Sequence, residues 1–346
     1  MRIMMLTGIR QMEMRNLPDP MINNDHDVLI RMTRVGVCGS DIHYYTSGRI
    51  GSQVVSYPFP VGHEGAGIVE KTGAGVTKVK PGDRIAIEPA MPCGICDQCL
   101  AGRPHTCRNL KFLGCPGQAD GCLSEYIVMP EESCLPIPAH LDFDQATITE
   151  PLSIGLYSVK QSVSMKGAVI GILGHGPIGM SVLMSAIAHG AAKIYVTDKI
   201  NERLALARKT GACWTGNPDT SDIAGLIREQ EPLLLDAVFE CCGQQEAMNQ
   251  AVALVKPGGK IMIVGIPEFD HWIFPTDVIR RKEVCIQNIR RQNHCVGPAL
   301  ELIASGAVDA KSMVTHRFPF SRTREAFDLV AGYSDGVMKA MIDIGG

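Results

Sequence analysis

The chain has 346 residues, 45% of them hydrophobic and 20% charged, the make-up of a globular protein and not of a disordered or fibrous one. Its length exceeds what one hydrophobic core usually supports, so about two domains are expected. A formal net charge of -3 gives no electrostatic reason to bind nucleic acid or an anionic membrane, which leaves a small molecule as the expected partner.

The opening "MRIMMLTGIRQMEMRN" lacks the basic stretch, apolar core and small-residue cleavage site of a secretory signal. No apolar run reaches the roughly 18 residues of a membrane span, and the reading is a cytoplasmic protein. Thirteen cysteines is an odd number, and a reducing cytosol disfavours structural disulfides. Clustered thiols are therefore read as metal ligands.

In chain order, short β-rich runs come first: "DVLIRMTRVGVCG", "GAGIVEKTG", "DRIAIEP" and "SEYIVMP", separated by Gly/Pro turns. They predict a compact, mostly β domain with functional loops. Near residue 150 the texture changes. "AVIGILG" precedes a helical run "PIGMSVLMSAIAHG", then come "KIYVTD", a second helix "NERLALARKTG", and the strands "LDAVFEC", "KIMIVG" and "VCIQNI". Strands alternating with helices predict a parallel sheet covered on both faces. After "VCIQNI" the mixed texture returns, as if the chain rejoined its first domain.

Cys93, Cys96, Cys99 and Cys107 lie in "CGICDQCLAGRPHTC" with the spacing C-x2-C-x2-C-x7-C. Four thiolates from one looping segment fill a tetrahedral Zn²⁺ and leave no position for water or substrate, so this metal is expected to be structural. A second, mixed constellation is open. "GVCGSDIHYY" offers Cys38, Ser40, Asp41, His43 and Tyr44, "VGHEGAG" offers His63 and Glu64, and "ITEPLSIG" offers Glu150. One thiolate, one imidazole and one carboxylate are three ligands, the number a catalytic zinc uses while keeping a fourth position for chemistry. Asp41 is placed to accept a hydrogen bond from the other nitrogen of His63. Taken singly these residues also suit packing, surface or, for Glu150 before Pro151, a turn.

In "GILGHGPIGM", Gly174, Gly176 and Gly179 form G-x-G-x-x-G between a predicted strand and a predicted helix. The first glycine permits the turn, the second admits a pyrophosphate to backbone amides, and the third lets helix and strand pack closely. Asp198 ends the next strand, roughly 20 residues on, where a carboxylate binds the hydroxyls of an adenosine ribose and repels a 2′-phosphate. NAD is thereby preferred over NADP, with Lys199 beside it as a contrary charge.

Together "GVCGSDIHYYTSGRIG", "VGHEGAGIVEKTG", "KPGDRIAIEP", the four-cysteine lobe, "EPLSIG", "GHGPIGM" with "VTD", "KPGGKIMIVG" and "VTHRFPF" make the chain resemble the medium-chain zinc-dependent alcohol dehydrogenases, in the polyol branch of sorbitol and xylitol dehydrogenases. The resemblance covers nearly the whole length. It implies an α/β protein with a GroES-like, β-rich catalytic domain (1–153 and 287–346) interrupted by a Rossmann doubly wound parallel-sheet domain (154–286) that binds NAD. Carried over, Cys38, His63 and Glu64 look like ligands of the catalytic zinc, with Glu150 the alternative carboxylate. Ser40 and His43 look like a proton relay, and Arg290 and Tyr44 like polar residues near the substrate. Gly174, Gly176, Pro177, Ile178, Gly179, Asp198 and Arg203 look like the cofactor contacts. Two zinc ions per chain and a homodimer or homotetramer are implied.

His175 and Arg291 depart from the residues common at those positions in the family. The implied reaction is hydride transfer between a polyol and NAD, giving the ketose, with threonine, butanediol or a sugar acid as alternative secondary alcohols. A non-catalytic NAD-binding protein or a zinc-free quinone reductase would be expected to lack the set Cys38, His63 and Glu64, which this chain retains.

Overall fold

The strand Asp27–Gly36 buries the run Val28–Leu29–Ile30, and Val28, Ile30, Met32 and Val35 join one core cluster, the register shift after Met32 coming before Val35. In the computed structural model, which describes residues 1–345, this strand is the centre of a seven-stranded sheet. It pairs antiparallel with Glu64–Thr72, Tyr126–Pro130 and Lys339–Asp343. Arg84–Ile87 and Cys134–Pro136 extend the sheet on one side, and Val314–Pro319 extends it on the other. Ile85, Ile87, Leu123, Phe327 and Ile342 complete the core against the inner face.

This sheet belongs to the first of two units, Met1–Glu150 with Val296–Gly346; the second is Pro151–Cys295. Gly346, the last residue of the predicted catalytic domain, lies outside the described residues. In the first unit Gly36, at the end of its strand, lies opposite Glu64, the start of the next, on one side and Met341, within Lys339–Asp343, on the other. Gly36 is required there, because a Cβ would collide with the Glu64 carboxylate. Just beyond the strand end, Cys38 adopts an extended conformation and caps the helix Gly39–Ser47, with Asp41 Oδ2 accepting from the Cys38 backbone N–H at 3.3 Å.

The second unit is a six-stranded, all-parallel sheet ordered Trp214–Gly216, Lys193–Thr197, Val169–Leu173, Leu235–Glu240, Val255–Ile263, Cys285–Asn288. In chain order that is 3-2-1-4-5-6, the Rossmann arrangement, whose ligands bind beyond the carboxyl ends of the strands where the order reverses. The helices Pro177–Ala188 and Asn201–Thr210 fall where the sequence places them.

Two local features differ from the sequence reading. Cys285–Asn288 hydrogen-bonds along Val255–Ile263, which holds the chain in the second unit as far as Cys295, beyond the expected return at 287. Glu150 is not in a turn: it lies inside the helix Phe143–Gln161, which carries Pro151 within it. Proline there removes one N–H from the helical ladder, and burial of the surrounding turns outweighs that loss.

Candidate active site

The first unit brings Cys38, His63 and Glu64 together, each offering a donor atom within 4.8 Å of the others. Helix capping positions Cys38, and the start of the strand Glu64–Thr72 positions the other two. His63 Nδ1 lies 3.4 Å from Asp41 Oδ1, which leaves Nε2 as the metal-facing nitrogen. Asp41 is fully buried and also accepts from the Gly62 N–H, so its carboxylate is held in place by the backbone. Burial opposes a positive charge on His63, but Asp41 and Cys38 outweigh it and raise the imidazole pKa. The pocket therefore favours a cation among these groups. One soft sulfur, one imidazole and one carboxylate suit Zn²⁺ with a coordination position left over, so the donor set fits the implied metal.

Glu64 has a second partner. Lys339, fully buried, places Nζ 2.7 Å from each Glu64 oxygen and 3.2 Å from the Val37 carbonyl. Glu150 is buried beside these groups but is not part of the three-donor cluster. Burial, opposed by His63 and reinforced by Glu64, pushes its carboxyl pKa up to about 7.

Ser40 and His43 occupy the same helix as the Cys38 cap, three positions apart and hence on one face. Ser40 Oγ donates to Cys38 Sγ at 3.4 Å. Tyr44 is buried on that helix, whereas Arg290 is exposed in the second unit, two residues beyond the strand Cys285–Asn288.

The four-cysteine lobe is a separate centre. Cys93, Cys96, Cys99 and Cys107 offer four sulfurs within 4.8 Å of one another. The pairs Cys96–Cys99, Cys96–Cys107 and Cys93–Cys107 are 3.6, 3.8 and 3.5 Å apart. Thiolates about 2.3 Å from a tetrahedral zinc stand about 3.8 Å apart, so this spacing fits the metal and is far too long for a disulfide. The Arg108 and Cys99 backbone amides lower the Cys96 pKa to about 6, preparing one thiolate. Burial and the neighbouring sulfurs push Cys99 up to about 12. Ile95 and Leu100 are 80% and 76% exposed, and the lobe has little apolar core of its own. Metal analysis is expected to give two zinc ions per chain. In Cys96→Ser one zinc should remain, while the melting temperature falls by about 3 °C, the effect of about 2 kcal/mol at this chain length. An unchanged melting temperature would remove the staple role.

In the second unit the turn after Val169–Leu173 meets the glycine requirements. Gly174 has φ 93°, and a Cβ on Gly179 would collide with the Gly174 carbonyl. A Cβ on Gly176 would meet only Arg203 Nη1, at 3.4 Å, so a phosphate can approach this turn beside a guanidinium. Pro177 and Ile178 open the helix whose N-terminus faces that turn. Asp198 accepts from the His175 N–H at 2.6 Å and the Ile200 N–H at 2.8 Å, which fixes its carboxylate at the strand end. Lys199 instead pairs with Asp219 at 3.0 Å. These residues fit a dinucleotide. His175 turns its ring into the interior, where burial and then Arg203 push its pKa down to about 3 and keep it neutral. Its main chain, not its side chain, serves the turn.

The sequence reading missed Lys339. A lone charge inside the apolar run "VMKAMI" was an available signal for Lys339.

Residues 24–139 match the family model described as the alcohol dehydrogenase GroES-like domain, and residues 177–305 match that of the zinc-binding dehydrogenases. The chain is 36% identical to sorbitol dehydrogenase of Bacillus subtilis, over 99% of this chain and 97% of that one. It is similar to the solved structure of an Escherichia coli oxidoreductase/dehydrogenase of unknown specificity, with TM-score 0.94 and 33% identity over 100% of this chain and 99% of the other. A Sinorhizobium meliloti protein, named as a zinc-binding dehydrogenase and solved with NADP, gives TM-score 0.90 and 29% identity over 99% of both chains.

Proposed function

Because the chain belongs to the zinc-binding alcohol dehydrogenase family with a GroES-like domain, we propose that it transfers a hydride between a sorbitol- or xylitol-like polyol and NAD, giving the ketose. The observation that carries this reading is the mixed three-donor cluster of Cys38, His63 and Glu64, with Glu150 buried beside it.

When bound, zinc supplies a Lewis acid that eases loss of a proton from the reacting hydroxyl, and the nicotinamide supplies the hydride acceptor. Cys38, His63 and Glu64 would hold the metal, and Asp41 fixes the His63 ring. Ser40 Oγ would accept the proton from the reacting hydroxyl while passing its own hydroxyl proton on toward His43, one turn along the same helix. Glu150 would orient the reacting hydroxyl or a water. Tyr44 binds a further hydroxyl of the substrate chain, and a simple alkyl alcohol would leave it unpaired. Gly174, Gly176, Pro177, Ile178, Gly179 and Arg203 receive the pyrophosphate, and Asp198 the adenosine ribose.

Initial rates of NADH formation on xylitol, sorbitol, galactitol, L-threonine and 2,3-butanediol test the reading. The highest kcat/KM is expected on a polyol; threonine or butanediol leading would replace the substrate while keeping the reaction class. The NAD preference rests on Asp198. Asp198→Ala is expected to weaken NAD use about ten- to a hundredfold, the scale of a charged hydrogen bond, and to narrow the gap to NADP. An NAD/NADP ratio equal to wild type would remove that assignment.

No helix among the described residues is long and apolar enough to cross a membrane. A cytoplasmic location is proposed because the thiolate ligands need reducing conditions. A homodimer or homotetramer is also proposed, to be read by light scattering.

A further inference from the structure

The carboxyl ends of two neighbouring strands meet in the second unit, where Leu173 lies opposite Glu240. The strand order reverses here, because the chain leaves Val169–Leu173 toward Lys193–Thr197 and leaves Leu235–Glu240 toward Val255–Ile263. The glycine turn assigned to the pyrophosphate follows the first of these strands. Asp198, assigned to the adenosine ribose, follows Lys193–Thr197 on one side of that turn. The two nucleosides of a dinucleotide lie on opposite sides of its pyrophosphate, which leaves the nicotinamide half for the ends of Leu235–Glu240 and Val255–Ile263.

Glu240 ties together the loops at those two ends. Its carbonyl accepts from the Val264 and Gly265 N–H groups at 2.8 and 3.0 Å. Its side-chain Oε1 accepts from the Cys242 and Gly243 N–H groups at 2.8 and 2.6 Å, and from Cys242 Sγ at 3.2 Å. The residue is fully buried, and Oε2 has no hydrogen-bond partner among the described residues. Burying an acid is costly, and the groups bonded to this one are backbone amides and a thiol, not a cation. Close packing confines the same loop. A Cβ on Gly265 would collide with Gly243 N and come 2.7 Å from Glu240 Oε2, and one on Gly174 would come 2.7 Å from Cys242 Cβ. Residues 242 and 243 are thus held between the glycine turn and Gly265, with Cys242 exposed.

We propose that Glu240 is a positioning residue for the cofactor: its carboxylate holds the backbone of Cys242 and Gly243 as the floor under the nicotinamide half of the dinucleotide. This inference rests on the dinucleotide reading of the second unit and adds the group that shapes its nicotinamide side. Without this acceptor two N–H groups lose their partner, and the loop must shift to find another. The adenosine side, where the His175 and Ile200 N–H groups fix Asp198, keeps its own hydrogen bonds.

The test titrates the zinc-loaded full-length protein by calorimetry with NADH, which needs both halves of the site, and with AMP, which needs only the adenosine half. Glu240→Leu is expected to bind NADH about tenfold more weakly while its AMP affinity stays within about twofold of wild type. Glu240→Gln keeps an acceptor oxygen, so its NADH affinity is expected to stay within about threefold. Gly265→Ala pushes on Gly243 and on the Glu240 carboxylate from the other side and is expected to give the same NADH-selective loss; it decides the matter should Glu240→Leu not fold. Equal losses for NADH and AMP, unchanged NADH affinity, or a loss in Glu240→Gln as large as in Glu240→Leu overturns the inference and leaves the dinucleotide reading standing. If wild type binds neither NADH nor AMP, the dinucleotide reading fails and this inference falls with it.

Discussion

Cys38→Ser and His63→Ala enzymes are expected to bind NADH with near-normal affinity and to turn over at least about a thousandfold more slowly. Metal and cofactor are assigned to different units of the chain, Cys38 and His63 to one and Gly174, Gly176 and Asp198 to the other. The Lewis acid contributes several kcal/mol to a step in which charge develops on oxygen, and each 1.36 kcal/mol is tenfold in rate. Cys38→Ser is the sharper of the two substitutions. Serine is itself a favourable helix cap, so the helix Gly39–Ser47 keeps its start while the soft anionic ligand is lost. Zinc content should fall from two ions to one per chain, and NADH titration by fluorescence on the same preparation should look like wild type. Full activity in a Cys38→Ser enzyme that retains one zinc would defeat the assignment of this site.

Lys339→Met is expected to destabilise the protein by about 3–5 kcal/mol, the cost of leaving one member of a buried ion pair uncompensated. Lys339 and Glu64 are both fully buried, and Nζ reaches both carboxylate oxygens at 2.7 Å. Against a total stability of about 5–15 kcal/mol that is a large fraction. Methionine fills a comparable volume, so the loss comes from the stranded carboxylate and not from a cavity. Two controls separate these causes. Glu64→Leu combined with Lys339→Met should recover much of the stability, because neither charge is then left alone. Zinc at the neighbouring site gives Glu64 another cation, so the single variant should lose more stability after chelation than before. Thermal unfolding with and without chelator measures both; a single variant within 1 kcal/mol of wild type would show that Glu64 does not depend on this lysine.

Legibility differed by element. The parallel half of the chain could be read because each of its signals is local: "AVIGILG" and "KIYVTD" are short apolar runs, the helices between them have uncapped but continuous apolar faces, and the glycine turn lies within six residues. The same locality made the four-cysteine lobe plain, since all of its sulfurs come from 93–107. Cys38 and His63 were legible only as members of a resemblance, because neither residue alone distinguishes a ligand from packing.

Sequence by itself determined which residues could ionise, bind metal or turn sharply, because those are properties of single side chains and of neighbours along the chain. Only the tertiary structure decided the partners. Glu64 meets Lys339 across 275 positions because their strands flank the end of Asp27–Gly36 in one sheet. Gln53 meets Cys115 across 62 positions because a hairpin folds back over the helix that carries Tyr44. The same packing excludes water from Glu150, and its burial within a proline-containing helix pushes the carboxyl to about 7. Hydrogen-bond partners and desolvation belong to the packed assembly: a residue's type states what it can exchange with its surroundings, and the fold supplies the surroundings.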